Sequence, residues 1–89
     1  MPGTMNGMSV KEDFDAAVPR MSTLPTKPSQ GDQLKLYALY KQSTSGDASG
    51  KRPGITKMVE RAKYDAWAAL SGTSREDAMG QYIAFASSF

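Results

Sequence analysis

Two tyrosines and two lysines on separate segments are the residues of this chain best placed to do chemistry. Tyr37-Ala38-Leu39-Tyr40-Lys41-Gln42 sets a phenol and an ammonium four residues apart, and Ala62-Lys63-Tyr64-Asp65-Ala66-Trp67 adds a second lysine among aromatic rings. Both segments read as helix, where positions i and i+4 project from one face a turn apart. A phenol beside an ammonium can hold an anionic, ring-bearing ligand such as a phosphorylated nucleotide. The apolar residues around them suit a ligand that is only partly polar.

What is missing narrows the class further. The 89 residues include no histidine and no cysteine. The usual zinc ligand sets, the commonest general base and the thiol nucleophile are therefore absent, as is any disulfide framework. The nine acidic residues are scattered among basic ones rather than paired in apolar surroundings. The expectation is a binding module, not an enzyme, with no catalytic residue, no metal and no cofactor. A net charge of +2 permits an anionic partner but supplies no polybasic block. No apolar run approaches the ~20 residues that cross a bilayer, so no stable membrane insertion is expected. Without cysteines the compartment is left open, with the cytoplasm as the default.

Helices must position these groups. Met1–Met8 shows no periodicity and reads as a flexible leader or an expression remnant, leaving 9–89 as one domain with one modest core. Ser9 and Glu12 match a capping box, followed by the stripe Phe14, Ala17, Val18 and Met21. Pro19 should kink or end that helix, because an interior proline removes an amide and crowds the carbonyl of Asp15. Pro25-Thr26-Lys27-Pro28 reads as an extended connector. Ser29 with Asp32 forms a second box, opening a helix from about Gln30 to Ser43. Its apolar residues fall on two faces, Leu36, Leu39 and Tyr40 on one and Leu34, Tyr37, Ala38 and Lys41 on the other. One stripe serves a core, so the second suggests a surface that something else covers. A long turn-rich loop, 44–54, precedes a third helix from Ile55 or Lys57 to Leu70, with Val59, Ala66, Trp67 and Leu70 along one side. Ser71-Gly72 ends it, and Thr73 with Glu76 opens a fourth helix bearing Ala78, Tyr82, Phe85 and Phe89. No strand and no repeat is expected; the fold class is all-α, a bundle of about four helices.

The motifs Phe14-Asp15-x-Ala17, Thr26-Lys27-Pro28, Leu36-Tyr37-x-Leu39-Tyr40-Lys41-Gln42, Arg52-Pro53-Gly54, Ala62-Lys63-x-Asp65-Ala66-Trp67 and Gly72-Thr73-Ser74-x-Glu76-Asp77-Ala78-Met79 stand in order with Tyr82 after them. Together they resemble the acyl-CoA-binding protein family over about Ser9 to Phe89. Each motif alone is short; in order and at matching spacing they are specific. The resemblance implies an up-down-down-up four-helix bundle, an acyl-CoA-binding domain that holds long-chain fatty acyl-CoA esters non-covalently. It implies an intracellular, monomeric carrier and pool former, with acyl-CoA-using enzymes as clients and no nucleic acid.

By that resemblance Tyr37, Lys41 and Lys63 match positions that hold the 3′-phosphate and adenine end. Tyr40 lies within the binding segment, and Tyr82 matches an aromatic that closes over the ligand from the last helix. Ser22 and Val59 are weaker contacts, and Val18, Met21, Leu34 and Ala38 form the apolar lining. A charge-assisted hydrogen bond contributes about 1.5–3 kcal/mol and stacking on a base about 1–3. Each buried methylene adds about 0.8 kcal/mol, so eight outweigh one phosphate contact. Ser22 stands where the family carries a basic residue, with Arg20 as a neighbouring substitute. Val59 stands where a lysine is common, with Lys57 or Arg61 as substitutes, and Tyr64 replaces a tryptophan.

Each assignment has a plainer competitor. Tyr37 could be a core-edge residue, Tyr40 shares the packing stripe of Leu36 and Leu39, and Tyr82 lies in a core-like stripe. Lys41 and Lys63 could lay their stems over apolar surface. Trp67 reads as core. Two rival functions stay open: a nucleic-acid-binding helical module, which fits the basic pI, and a protein-interaction bundle, which fits the second stripe.

Overall fold

Serine side chains open three of the four helices, and the reach of the acid three residues on decides how completely each is closed. The computed structural model describes residues 9–89; the expectation for Met1–Met8 lies outside them. Among the described residues there are four helices, α1 (Val10–Met21), α2 (Gln30–Ser45), α3 (Met58–Ala68) and α4 (Arg75–Ala86), and no strand.

At α1 the expected capping box forms in full: the Glu12 amide donates to Ser9 Oγ, and the Ser9 amide donates to the Glu12 carboxylate at 2.9 Å. At α2 only half of it forms. The Asp32 amide donates to Ser29 Oγ at 3.1 Å, but aspartate is one methylene shorter than glutamate and makes no return bond. The α4 cap falls one residue later than expected, on Ser74, which accepts from the Asp77 amide. Thr73 is held in the preceding turn, its amide on the Leu70 carbonyl and its own carbonyl under Gln42 Nε2.

Helix ends also shift by a turn or less. α1 continues two residues past Pro19, and the amides of Ser22 and Thr23 reach the Pro19 and Arg20 carbonyls in a tightened last turn. The proline is tolerated because so little helix follows it. α2 runs to Ser45 and stops at Gly46, whose φ of +81° lies in the left-handed region. α3 is shorter than its apolar pattern implied, with no side-chain cap at Lys57.

α2 packs against both α3 and α4, and α1 packs against α4. The core is Phe14 and Ala17 from α1, Leu36 and Leu39 from α2, and Tyr82 and Ala86 from α4. The second apolar stripe of α2 therefore has a partner within the fold. α3 lies along it, Ala38 is buried, and Leu34, Tyr37 and Lys41 are half-buried. Trp67 is the single buried residue of α3, as its size suggested. Val59, expected on the same side, is exposed.

Polar ties hold α3 and the loop before it. Trp67 Nε1 donates to the Gly46 carbonyl at 2.8 Å, and Tyr64 donates to the Gly50 carbonyl. Arg52 forms a bidentate pair with Asp65, both bonds 2.7 Å. Buried Gln42 donates to Asp47 Oδ1 and to the Thr73 carbonyl, while the Gly72 amide donates to the same Asp47 oxygen.

Candidate functional site

Tyr37 stands where two cavities meet. The first, about 500 Å³, lies between the starts of α2 and α3 and is lined by Leu34, Met58, Val59 and Ala62, with Gln30 and Lys63 at its polar margin. The second, about 680 Å³, is bounded by α1, the connector, α2 and α4. Val18 and Met21 give it an apolar wall, Tyr40 and Tyr82 its aromatic surface, and Ser22 and Lys27 its polar edge. Tyr37 and Gln33, one turn apart on α2, line both. Gln33 is fixed by a 2.7 Å bond from Nε2 to the Pro28 carbonyl, which also pins the connector to α2. Each volume falls in the range of small-molecule sites.

The two lysines are crossed over the α2–α3 seam. Lys63 of α3 places its ammonium 5.3 Å from the ring centroid of Tyr37 on α2. Lys41 of α2 places its own 4.8 Å from the ring centroid of Trp67 on α3. These cation–π contacts hold both charges near the seam without neutralising them. Among the described residues neither lysine takes part in a salt bridge. Two positive charges and a phenol thus converge on one seam, an arrangement suited to a phosphate.

Phe14 organises the aromatic wall of the second cavity. Tyr40 stacks on it with centroids 6.1 Å apart and planes 25° apart, and Tyr82 meets it edge-on at 5.1 Å. Tyr40 remains 40% exposed, whereas Tyr82 is buried and burial pushes its phenol pKa up, with Arg20 opposing. Tyr82 accordingly keeps its proton at neutral pH.

The structure therefore groups Tyr37 with Lys63 and Leu34, and Tyr37 with Val18, Met21, Ser22, Tyr40 and Tyr82. Lys41 lines neither cavity, although it lies one turn from Tyr37. Ala38 is buried against its neighbours and lines neither cavity. Ser22 donates its hydroxyl proton to the Pro19 carbonyl at 2.8 Å. Arg20 is directed away, its Nη2 donating to the Ala86 carbonyl at the end of α4. Arg61 donates to the Pro53 carbonyl at 3.3 Å.

Several lining residues did not stand out in the sequence. Lys27 brings a charge to the cavity of Ser22; in the sequence it stood within the motif Thr26-Lys27-Pro28 of a stiff connector, with no role attached. Gln33, Met58 and Ala62 carry no chemical signal alone; their place depends on where α3 crosses α2. Among the described residues no group of His, Cys, Asp and Glu could hold a metal ion, and no helix is long and apolar enough to cross a membrane.

Residues 11–86 match the family described as Acyl CoA binding protein. An acyl-CoA-binding protein of Gossypium hirsutum is 49% identical over 76 residues, covering 85% of each chain. The crystal structure of Oryza sativa Acyl-CoA-Binding Protein 2 superposes with a TM-score of 0.85 at 41% identity, covering 90% of this chain and 89% of that one. The solution structure of the yeast acyl coenzyme A binding protein gives 0.69 at 47% identity, covering 84% and 87%.

Proposed function

Because this chain belongs to the acyl-CoA binding protein family, we propose that its paired cavities hold one long-chain acyl-CoA, with the head group and the acyl chain on either side of Tyr37. The observation that carries this reading is the crossed lysine arrangement beside Tyr37, the residue both cavities share: Lys63 lies over the Tyr37 ring at the margin of the apolar cavity, and Lys41 stands one turn along α2 over Trp67.

The role of each residue follows from its surroundings. Lys63 and Lys41 attract the phosphates, and the Tyr37 hydroxyl orients them; each charge-assisted bond contributes about 1.5–3 kcal/mol. Tyr40 and Tyr82 offer ring surface to the adenine, with Val18 and Met21 flanking it and Ser22 hydrogen-bonding the polar edge. Lys27, in the same cavity, supplies charge that Ser22 lacks. The acyl chain lies along Leu34, Met58, Val59 and Ala62, where each buried methylene adds about 0.8 kcal/mol. Ala38, buried and outside both cavities, does not touch the ligand. The protein acts as a carrier: by mass action it lowers free ester and releases it to enzymes that consume it.

Parallel calorimetry with palmitoyl-CoA, free CoA and palmitate tests the assignment. The ester is expected to bind tightest, free CoA more weakly and palmitate least. Equal affinity for ester and free acid would remove the head-group role of the lysines.

A further inference from the structure

Three large apolar side chains that nothing in the fold covers are clustered where the long loop enters α3. Ile55, Met58 and Val59 are 73%, 76% and 62% exposed, well above the 39–40% of the other exposed large apolar residues, Tyr40 and Phe89. The same stretch, 51–65, contains Lys51, Arg52, Lys57, Arg61 and Lys63 against two acids, Glu60 and the Asp65 that pairs with Arg52. Five positive charges against two negative give it +3, which leaves the remainder of a +2 chain at −1. Lys51, Arg52, Lys57 and Lys63 are exposed. Apolar tip and positive charge therefore coincide on one part of the surface.

The tip is held in shape. The Lys57 amide closes a turn on the Gly54 carbonyl at 3.0 Å, Arg52 is clamped by Asp65, and Arg61 reaches back to the Pro53 carbonyl. Presenting Ile55 and Met58 outward thus needs little further ordering, which lowers the cost of association.

We propose that this tip docks onto a bilayer surface bearing anionic lipids, with Ile55 and Met58 entering the headgroup–acyl boundary and the surrounding lysines meeting lipid phosphates. Shallow apolar insertion and electrostatic attraction are each marginal alone and together give reversible binding. Charge selects this occupant over a second copy of the chain, since self-association through the tip would oppose two +3 surfaces. Met58 and Val59 also line the apolar cavity, so docking brings its mouth to the lipid surface. The docking does not require a bound ligand.

Co-sedimentation of the full chain, without acyl-CoA, with vesicles of phosphatidylcholine alone or mixed with phosphatidylserine tests this. Binding is expected on the mixed vesicles, weak on phosphatidylcholine alone, and reduced by salt. Ile55→Ser and Lys51→Glu change exposed residues that line neither ligand cavity. Each should lower partitioning about fivefold or more, the ratio expected for one such surface contact. Helicity and calorimetric affinity for palmitoyl-CoA should stay unchanged, which separates this proposal from the ligand assignment. Failure to bind the mixed vesicles would overturn it, as would loss with Lys51→Glu alone, which would mean charge without insertion. A concentration-dependent dimer abolished by Ile55→Ser would assign the tip to self-association and overturn it as well.

Discussion

The α1–α2–α4 side of this protein and the α3 side are held together by different forces. On the first, Phe14, Leu36, Leu39 and Tyr82 close around small alanines, and Leu39 is 1% exposed. On the second, one tryptophan is buried and the rest is tied by hydrogen bonds: Trp67 to Gly46, Arg52 to Asp65, Gln42 and Gly72 to Asp47. Apolar burial does not discriminate among orientations, whereas hydrogen bonds do. The α3 side can therefore keep apolar surface open, as at Leu34, Met58 and Val59, while its helix stays in place. The buried core is concentrated on the α1–α2–α4 side, which also bounds the second cavity, whereas the α3 seam keeps the first cavity open.

Four substitutions test that division, in descending order of expected effect. Leu39→Ala removes a fully buried side chain and should cost about 2–5 kcal/mol in urea unfolding. The palmitoyl-CoA affinity of the folded fraction should not change; a matching loss would show that the two sides are not separable. Lys63→Ala should do the reverse. It weakens palmitoyl-CoA binding by about 1.5–3 kcal/mol in calorimetry and leaves the urea midpoint nearly where it was. Unchanged affinity would return Lys63 to covering the Tyr37 ring with its stem and no more.

Trp67→Phe retains most of the buried ring but removes the donor to the Gly46 carbonyl. It should cost about 0.5–1.5 kcal/mol in thermal unfolding, a measure of how far one polar tie holds α3. The smallest effect is expected from Asp47→Asn, and it is read from how steeply stability falls in acid. The Gly72 amide and then the Gln42 side chain hold the Asp47 carboxyl below its ordinary value of 3.8. A carboxylate whose folded pKa is depressed contributes stability above that ordinary value, and loses it as pH falls through the folded one. The parent protein should therefore lose stability below about pH 4 more steeply than Asp47→Asn. Parallel acid unfolding curves would show that this tie is unimportant.

Much of the fold was legible because helix signals are local. Ser9 and Glu12 satisfy each other within one turn, and no distant residue is needed to read them. The same locality explains the near misses. Thr73-x-x-Glu76 and Ser74-x-x-Asp77 are adjacent and alike in sequence, and the choice fell to Ser74 because Gln42, 31 residues away, engages the Thr73 carbonyl. The second stripe on α2 looked unpartnered because the sequence does not say which helix lies over it.

The site divides in the same way. The residue types, their helical phase and the ordered motifs of the family are properties of the sequence by itself. They determine that Tyr37, Lys41 and Lys63 lie on two helices as candidates for an anionic head group. Only the tertiary structure decides that Lys63 crosses to Tyr37 while Lys41 crosses to Trp67. It also turns Arg20 to the end of α4 and brings Lys27 into the cavity of Ser22. Helix phase arises from hydrogen bonds between residues three or four apart, whereas the crossing of two helices depends on the packing of the whole core.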